Sequence, residues 1–226
     1  MTKSLRIALL GPPGSGKGTQ GEILVQRIGI PRISPGDMLR QEVNAGSKMG
    51  KRVEAFLDRG ALVDDEVIID IMRKRFDAPD CKRGYLLDGF PRSAGQARAL
   101  EQLLRERDEK LSAVISFQIT QGEVVERIVG RLQCARCGAG YHRRVHPPKN
   151  DGICDRCGNP LAQRSDDTED TIQKRFDVYN RETKPLTEYY RQRGLLYDVD
   201  ASGTIDEVAK RVASLIETFL ERSLSS

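Results

Sequence analysis

Apolar and polar positions fall into blocks that read in turn as strands and helices. Leu5–Leu10 is a short run, mostly apolar, cut off at Gly11, which marks a buried strand. Residues 18–28 then place Ile23, Leu24 and Ile28 on one side of a helix that Pro31 ends, and Ile33 lies in a second short strand. Ser34 reads as a helix N-cap, Pro35 as the first helical position and Asp37 as the closing member of a capping box. Asp65–Phe76 predicts a helix, and Tyr85-Leu86-Leu87 a strand ending at Asp88. Residues 94–107 predict a helix and 113–119 a buried strand. Residues 195–199 predict a last strand. Thr204 and Glu207 then open a helix whose Ile205, Val208, Val212, Leu215 and Phe219 recur at helical spacing. Strands alternating with helices predict an α/β fold with a doubly wound parallel sheet.

Residues 130–167 break this rhythm. They are rich in Cys, Gly, Pro and Arg, without a long apolar period, and read as an inserted lobe. Cys134-Ala135-Arg136-Cys137 and Cys154-Asp155-Arg156-Cys157 are separated by sixteen residues, the spacing of a zinc ribbon. Four thiolates complete a tetrahedral zinc, so such a site is structural. A lobe this small buries too little apolar area to hold itself together. A structural zinc contributes on the order of 10 kcal/mol to folding. Two disulfides, or iron in place of zinc, are the alternatives. His142 and His146 are not needed as ligands, and Cys81 reads as a spare thiol.

Composition narrows the picture. The 226 residues carry a net charge of +4 with both signs interspersed, which argues against general nucleic-acid binding. Tryptophan is absent and aromatics are few, so a base-stacking surface is not expected. No apolar run has the length of a membrane span, and the opening run lacks the form of a signal peptide. The cysteine pattern fits a cytoplasmic, metal-binding protein better than a disulfide framework.

The strongest chemical signal is Gly11-Pro12-Pro13-Gly14-Ser15-Gly16-Lys17-Gly18-Thr19-Gln20, set between a predicted strand and a predicted helix. Such glycines let backbone N–H groups wrap a phosphate, the helix adds its positive end, and Lys17 adds a mobile charge. Gly18 stands between Lys17 and Thr19, where phosphate loops of P-loop NTPases usually have Ser or Thr directly after Lys. The alternative is a glycine-rich turn without a ligand.

The GKGTQ end of this loop closely resembles adenylate kinase. The resemblance continues at Gly36-Asp37-Met38-Leu39-Arg40, Asp88-Gly89-Phe90-Pro91-Arg92, Arg127-Ile128-Val129-Gly130-Arg131, and Arg164-Ser165-Asp166-Asp167 leading to Arg175, in matching order over nearly the whole chain. It implies a P-loop core of residues 1–33, 64–129 and 168–226. It also implies a helical monophosphate-binding lobe at 34–63 and a zinc-binding lid at 130–167, both closing on substrates. The implied reaction moves the terminal phosphoryl group of Mg-ATP to AMP, giving two ADP, in a cytoplasmic monomer.

Carried over by position, Gly14, Ser15, Gly16, Lys17, Gly18 and Thr19 hold the ATP phosphates. Arg127 packs on the ATP base, Arg131 reaches the ATP phosphates, and Tyr141 and Gly203 belong to the same donor site. Arg40 and Arg92 bind the AMP phosphate, and Arg164 and Arg175 bridge the transferring group. Pro35, Ala61, Leu62, Val63, Gly89, Phe90, Pro91 and Gln96 line the AMP site. Asp88 orients magnesium through water. Lys17, Arg92, Arg131, Arg164 and Arg175 form the implied catalytic set. Pro35 departs from the Thr usual in the family, which bears on the acceptor base.

The residue types suit that chemistry. Phosphoryl transfer asks for positioning and charge stabilisation, and an ionised phosphate acceptor needs no general base. One opposite-charge contact near 4 Å is worth roughly 4 kcal/mol at an effective dielectric of about 20. Arginine grips phosphate with a planar fork that lysine lacks. Arg32, Arg73, Arg98 and Arg105 are expected to be solvated surface groups, and Asp166 and Asp167 to pair with arginines. A kinase of UMP, CMP or GMP remains open, as does a P-loop switch protein whose zinc ribbon binds a partner. An inactive scaffold is the third alternative.

Overall fold

The computed structural model describes residues 4–164 and 166–224; Ser165, within one of the motifs above, lies outside them. β1 (Leu5–Leu10) is buried along its whole length, and the core is built on both of its faces. β2 (Arg32–Ile33), β3 (Gly84–Asp88), β4 (Ala113–Gln118) and β8 (Leu196–Asp200) join it in an all-parallel sheet of order β2-β3-β1-β4-β8. Such a sheet needs helices on both faces. Ala8 and Leu10 point into one cluster with α2 (Pro35–Asn44), α4 (Asp65–Phe76), α5 (Ala94–Arg105) and α8 (Pro185–Arg191). Leu5, Ile7 and Leu9 point into another with α1 (Lys17–Ile28) and α9 (Ile205–Leu224). The doubly wound arrangement therefore follows from the alternation of side chains along one strand.

Several helices begin or pack differently from their sequence signals. In α1 only Leu24 of the three expected apolar positions is buried. Ile28 is half-buried and Ile23 is at the surface, while Gln20 and Gly21 fill the inner face. The Ser34 hydroxyl caps α2 by accepting from the Asp37 N–H at 3.4 Å. The Asp37 carboxylate does not complete the capping box, because guanidinium partners draw it into the cleft described below. Thr204 and Glu207 do form the reciprocal pair at the start of α9, at 2.8 and 3.3 Å.

Residues 34–63 hold α2 and α3 (Lys48–Asp58). Four further elements complete the parallel core: α6 (Gln121–Val129), α7 (Glu169–Val178), a π-helical turn over Tyr179–Thr183 and the short α8. Between α6 and α7, β5 (Arg131–Cys134), β6 (Gly140–His142) and β7 (Leu161–Ala162) make a small antiparallel sheet of order β6-β5-β7. Its apolar cluster is Leu132, Cys134, Tyr141 and Cys154 with a few half-buried neighbours. No helix among the described residues is long and apolar enough to cross a membrane.

α2 and α3 approach closely at Gly50. A Cβ there would run into the Glu42 carbonyl oxygen and come within 2.7 Å of the Val43 Cα, both backbone atoms that cannot step aside. Gly50→Ala is expected to destabilise the fold by about 1–3 kcal/mol, read as a lower denaturation midpoint. An unchanged midpoint would show that the two helices are not held at this spacing.

Candidate active site

The parallel strands end at a common edge, where a doubly wound sheet presents its ligand crevice. β1 runs into the loop of residues 11–16, which turns through positive φ at Gly11, Gly14 and Gly16. Gly14 is constrained further, since a Cβ would stand 2.7 Å from Ile128 Cγ1 on α6. The loop curls around the lysine that follows it. Lys17 Nζ donates to the Gly11 carbonyl (2.7 Å), the Pro12 carbonyl (2.8 Å) and Ser15 Oγ (3.2 Å). Burial lowers the Lys17 pKa from 10.5 to about 7. Asp88 opposes that shift, and Arg92, Arg175 and Arg131 add to it.

Opposite the loop, five arginines from different elements converge. Arg40 lies on α2, Arg92 after β3, Arg131 on β5, Arg164 after β7 and Arg175 on α7. Three carboxylates hold four of them, and Arg92 Nε donates to the Gly89 carbonyl at 2.8 Å. Asp167 takes the Arg131 fork, with Nε at 2.8 Å and Nη2 also bonded. Asp166 takes Arg175 at 3.1 Å and Arg40 at 3.5 Å. Asp37 takes Arg164 at 3.4 Å and Arg40 at 3.5 Å. Asp166 and Asp167 are buried, so they are structural ion-pair partners and not solvated hinge charges. Burial, then Arg40 and Arg131, lowers Arg164 to about 9, and burial lowers Arg175 to about 10 against the pull of Asp166. Burial works against ionising Asp37, but Arg164, Arg32 and Arg40 outweigh it and hold the carboxyl at about 2.

A further carboxylate, Asp88, ends β3 beside the phosphate loop and is bound by a sixth arginine, Arg32. This corrects the expectation that Arg32 is a solvated surface group: its side chain keeps 13% exposure and meets three carboxylates. Arg73 does lie at the surface, paired with Glu106.

The remaining motif residues lie around this cleft. Arg127 Nη2 donates to the carbonyls of Ala201 (2.9 Å) and Gly203 (3.2 Å), and Nη1 would stand 3.8 Å from a Cβ on Gly16. Gly18 borders Asp88, and Thr19 is exposed on the first turn of α1. Gln96 is buried, accepting from the Arg92 N–H (2.8 Å) and donating to Asp65 (2.7 Å). Gly89, Phe90 and Pro91 connect β3 to Arg92 through a cis Phe90-Pro91 bond. Pro35 is buried at the start of α2, and Ala61, Leu62 and Val63 link α3 to α4. Tyr141 stands apart from the arginines. Its ring stacks on His146, and its hydroxyl accepts from the Asp155 N–H at 2.9 Å, inside the small sheet.

The chain matches the "Adenylate kinase" family model over residues 9–195. It is 47% identical to the adenylate kinase of Archaeoglobus fulgidus over 94% of this chain and 98% of that one. It is 50% identical to that of Moorella thermoacetica (90% and 94%) and 44% identical to that of Methanocella arvoryzae (94% and 98%). The chain belongs to the adenylate kinase family. Adenylate kinases are phosphotransferases that convert ATP and AMP to ADP, and the cleft has the cations such a reaction needs.

This adenylate kinase also carries a four-cysteine cluster. The Sγ atoms of Cys134, Cys137, Cys154 and Cys157 lie within 4.8 Å of one another. The closest cross-pairs are 3.4 Å (Cys134–Cys157) and 3.6 Å (Cys137–Cys154). All four are free thiols, well beyond the roughly 2 Å of a disulfide. Sulfurs each about 2.3 Å from a tetrahedral ion sit about 3.8 Å apart, so the set fits a structural zinc. His142 Nδ1 instead accepts from the N–H groups of Arg144 and Val145, at 3.1 and 3.2 Å.

The depressed Lys17 pKa predicts that binding of a nucleotide beside it is proton-linked. Its burial cost is absent above the ordinary value of 10.5, grows as pH falls, and is complete below about 7. At pH 8 most Lys17 is neutral in the free protein, and a triphosphate beside it restores the charge. ATP binding at pH 8 is therefore expected to take up close to one proton, seen calorimetrically as a dependence of binding enthalpy on the buffer. Lys17→Met should abolish that uptake, and equal enthalpies in all buffers would refute the assignment.

Proposed function

We propose that this cleft transfers the terminal phosphoryl group of Mg-ATP reversibly to AMP. The observation that carries this reading is the convergence of Lys17 and five arginines from separate elements on one sheet edge. In it, residues 14–19 hold the ATP phosphates, and Arg131 supports them. Arg127, with Gly203 beside it, covers the ATP base. Tyr141 braces the donor side by fixing the sheet that carries Arg131. Arg40 and Arg92 receive the AMP phosphate; Arg40 Nε is buried with no hydrogen-bond partner, which leaves a donor for an incoming oxygen. Arg164 and Arg175 bridge the transferring group. Pro35, Ala61, Leu62, Val63, Gly89, Phe90, Pro91 and Gln96 form the AMP side.

The chemistry needs no proton acceptor, because the attacking phosphate oxygen is already ionised. The arginines and Lys17 reduce repulsion between two anionic chains and keep the reacting oxygens in line. Magnesium, when bound, would offset the phosphate charge, and Asp88, at the end of β3, would be the carboxylate that orders its water shell. Residues 34–63 act as the monophosphate-binding lobe, and residues 130–167 as a zinc-stapled lid that excludes water, which would otherwise accept the phosphoryl group. The protein works as a cytoplasmic monomer. Its free cysteines support a reducing compartment.

With ATP, magnesium and AMP, the protein should produce two ADP per AMP consumed, followed by chromatography. A compound of two adenosines joined by five phosphates should inhibit strongly by filling both sites. Because Pro35 stands at the AMP side, UMP, CMP and GMP belong in the same acceptor panel. Preference for one of them would reassign the acceptor.

Chelating the cysteine-bound metal should lower the melting temperature and loosen the lid before nucleotide binding is lost. Melting temperature and activity both unchanged after verified metal loss would overturn the structural-zinc reading.

A further inference from the structure

Arg32, the first residue of the two-residue β2, is committed to three carboxylates from three elements. Nε donates to Glu22 on α1 (2.9 Å), Nη2 to Asp37 on α2 (2.8 Å) and Nη1 to Asp88 at the end of β3 (2.5 Å). Burial disfavours its charge, yet Asp88, Asp37 and Glu22 together raise its pKa above the ordinary arginine value. The Arg32–Asp88 pair lies against the start of α1. A Cβ on Gly18 would stand 3.5 Å from Asp88 Oδ2 and 3.7 Å from Arg32 Nη1. Each partner of Arg32 also reaches a second cation. Asp37 meets Arg40 and Arg164, Asp88 acts on Lys17, and Glu22 meets Arg156 of the cysteine-rich insert at 3.8 Å.

The geometry points to Arg32 as a positioning residue for phosphoryl transfer, which fixes the Asp88 carboxylate and limits how strongly it draws a divalent cation. This rests on the reading of Asp88 given above. A carboxylate with one oxygen in a charge-assisted bond to guanidinium has a set plane and a partly compensated charge. Without Arg32, Asp88 loses its guanidinium partner at a partly dry edge, whereas Asp37 keeps Arg40 and Arg164. Asp88 is then free to swing toward Lys17 or toward a cation. A more negative, looser Asp88 holds a divalent ion more tightly but places it less well, and misplacement of about 1 Å costs up to a hundredfold in rate. Arg32 touches neither reacting group in this account; it acts through Asp88.

The probe is Mn2+, titrated by electron paramagnetic resonance into full-length protein bound to a non-hydrolysable ATP analogue, with no AMP present. In Arg32→Gln, the half-saturating manganese concentration should fall by about threefold or more. In turnover assays kcat should fall about tenfold, while KM for ATP and AMP changes less than about threefold. Arg32→Lys keeps the charge without the fork and should lie between parent and Arg32→Gln in both readouts. Glu22→Gln leaves the Asp88 bond in place and should keep the parental manganese midpoint. A folded Arg32→Gln with parental manganese midpoint, or with parental kcat, overturns the inference. If Arg32→Gln does not fold, Arg32→Lys decides by the same two readouts. Asp88→Asn separates the two levels. A manganese midpoint unmoved by Asp88→Asn removes the Asp88 reading itself, whereas a shift there with none in the Arg32 variants removes only the role of Arg32.

Discussion

The cleft is organised around one electrostatic difficulty: five guanidiniums and an ammonium must share a small, partly dry space. At an effective dielectric of about 20, each like-charge pair near 4 Å costs roughly 4 kcal/mol. Buried carboxylates offset this. Asp37, Asp166 and Asp167 each hold arginines from different elements, and Asp88 balances Lys17 and Arg32. The lowered values of Arg164 and Arg175 express the remaining strain, yet both groups stay charged at neutral pH. Phosphate oxygens make the same demands of a guanidinium as these carboxylates do. The resting cleft thus already contains the interactions that a polyphosphate would make. Ligands bringing several negative charges can compete for them, and an uncharged nucleoside cannot.

The scaffold supplies this concentration of charge at small cost to the core. Parallel strands deliver the phosphate loop, Arg32 and Asp88 to one edge, while β1 is apolar on both faces except at Arg6, which pairs with Glu109. Lys17 and Arg40 begin and line helices that start at that edge. The remaining arginines come from segments that cross above it.

Much of this was legible in the sequence, for identifiable reasons. Strands such as Leu5–Leu10 and the α9 stripe bury enough apolar residues to leave a period. The cysteine spacing and the phosphate-loop glycines carry their chemistry in short local patterns. What escaped lacked such a pattern. α3 buries only Gly50 and Val53, and α7 only Thr171, Ile172 and Phe176, too few to set a rhythm. α6, by contrast, has a complete Thr120–Glu123 capping box that is readable in the sequence. Arg32 reads as solvated because its three carboxylates, far apart in sequence, are brought around it only by the fold. Asp37 was assigned to a local cap for the same reason. Long-range charge pairing outbid the short-range bond.

The four-cysteine cluster brings together two turns seventeen to twenty-three residues apart, so the zinc it fits would staple the insert between α6 and α7 within itself. Its two connections to the core are therefore where any pivoting must occur. Arg131 stands in the first connection, and Arg164, Asp166 and Asp167 stand in the second. Mechanical axle and electrical contact coincide. In the closing motion proposed above, these cations would travel together, so opening and discharge would be a single event.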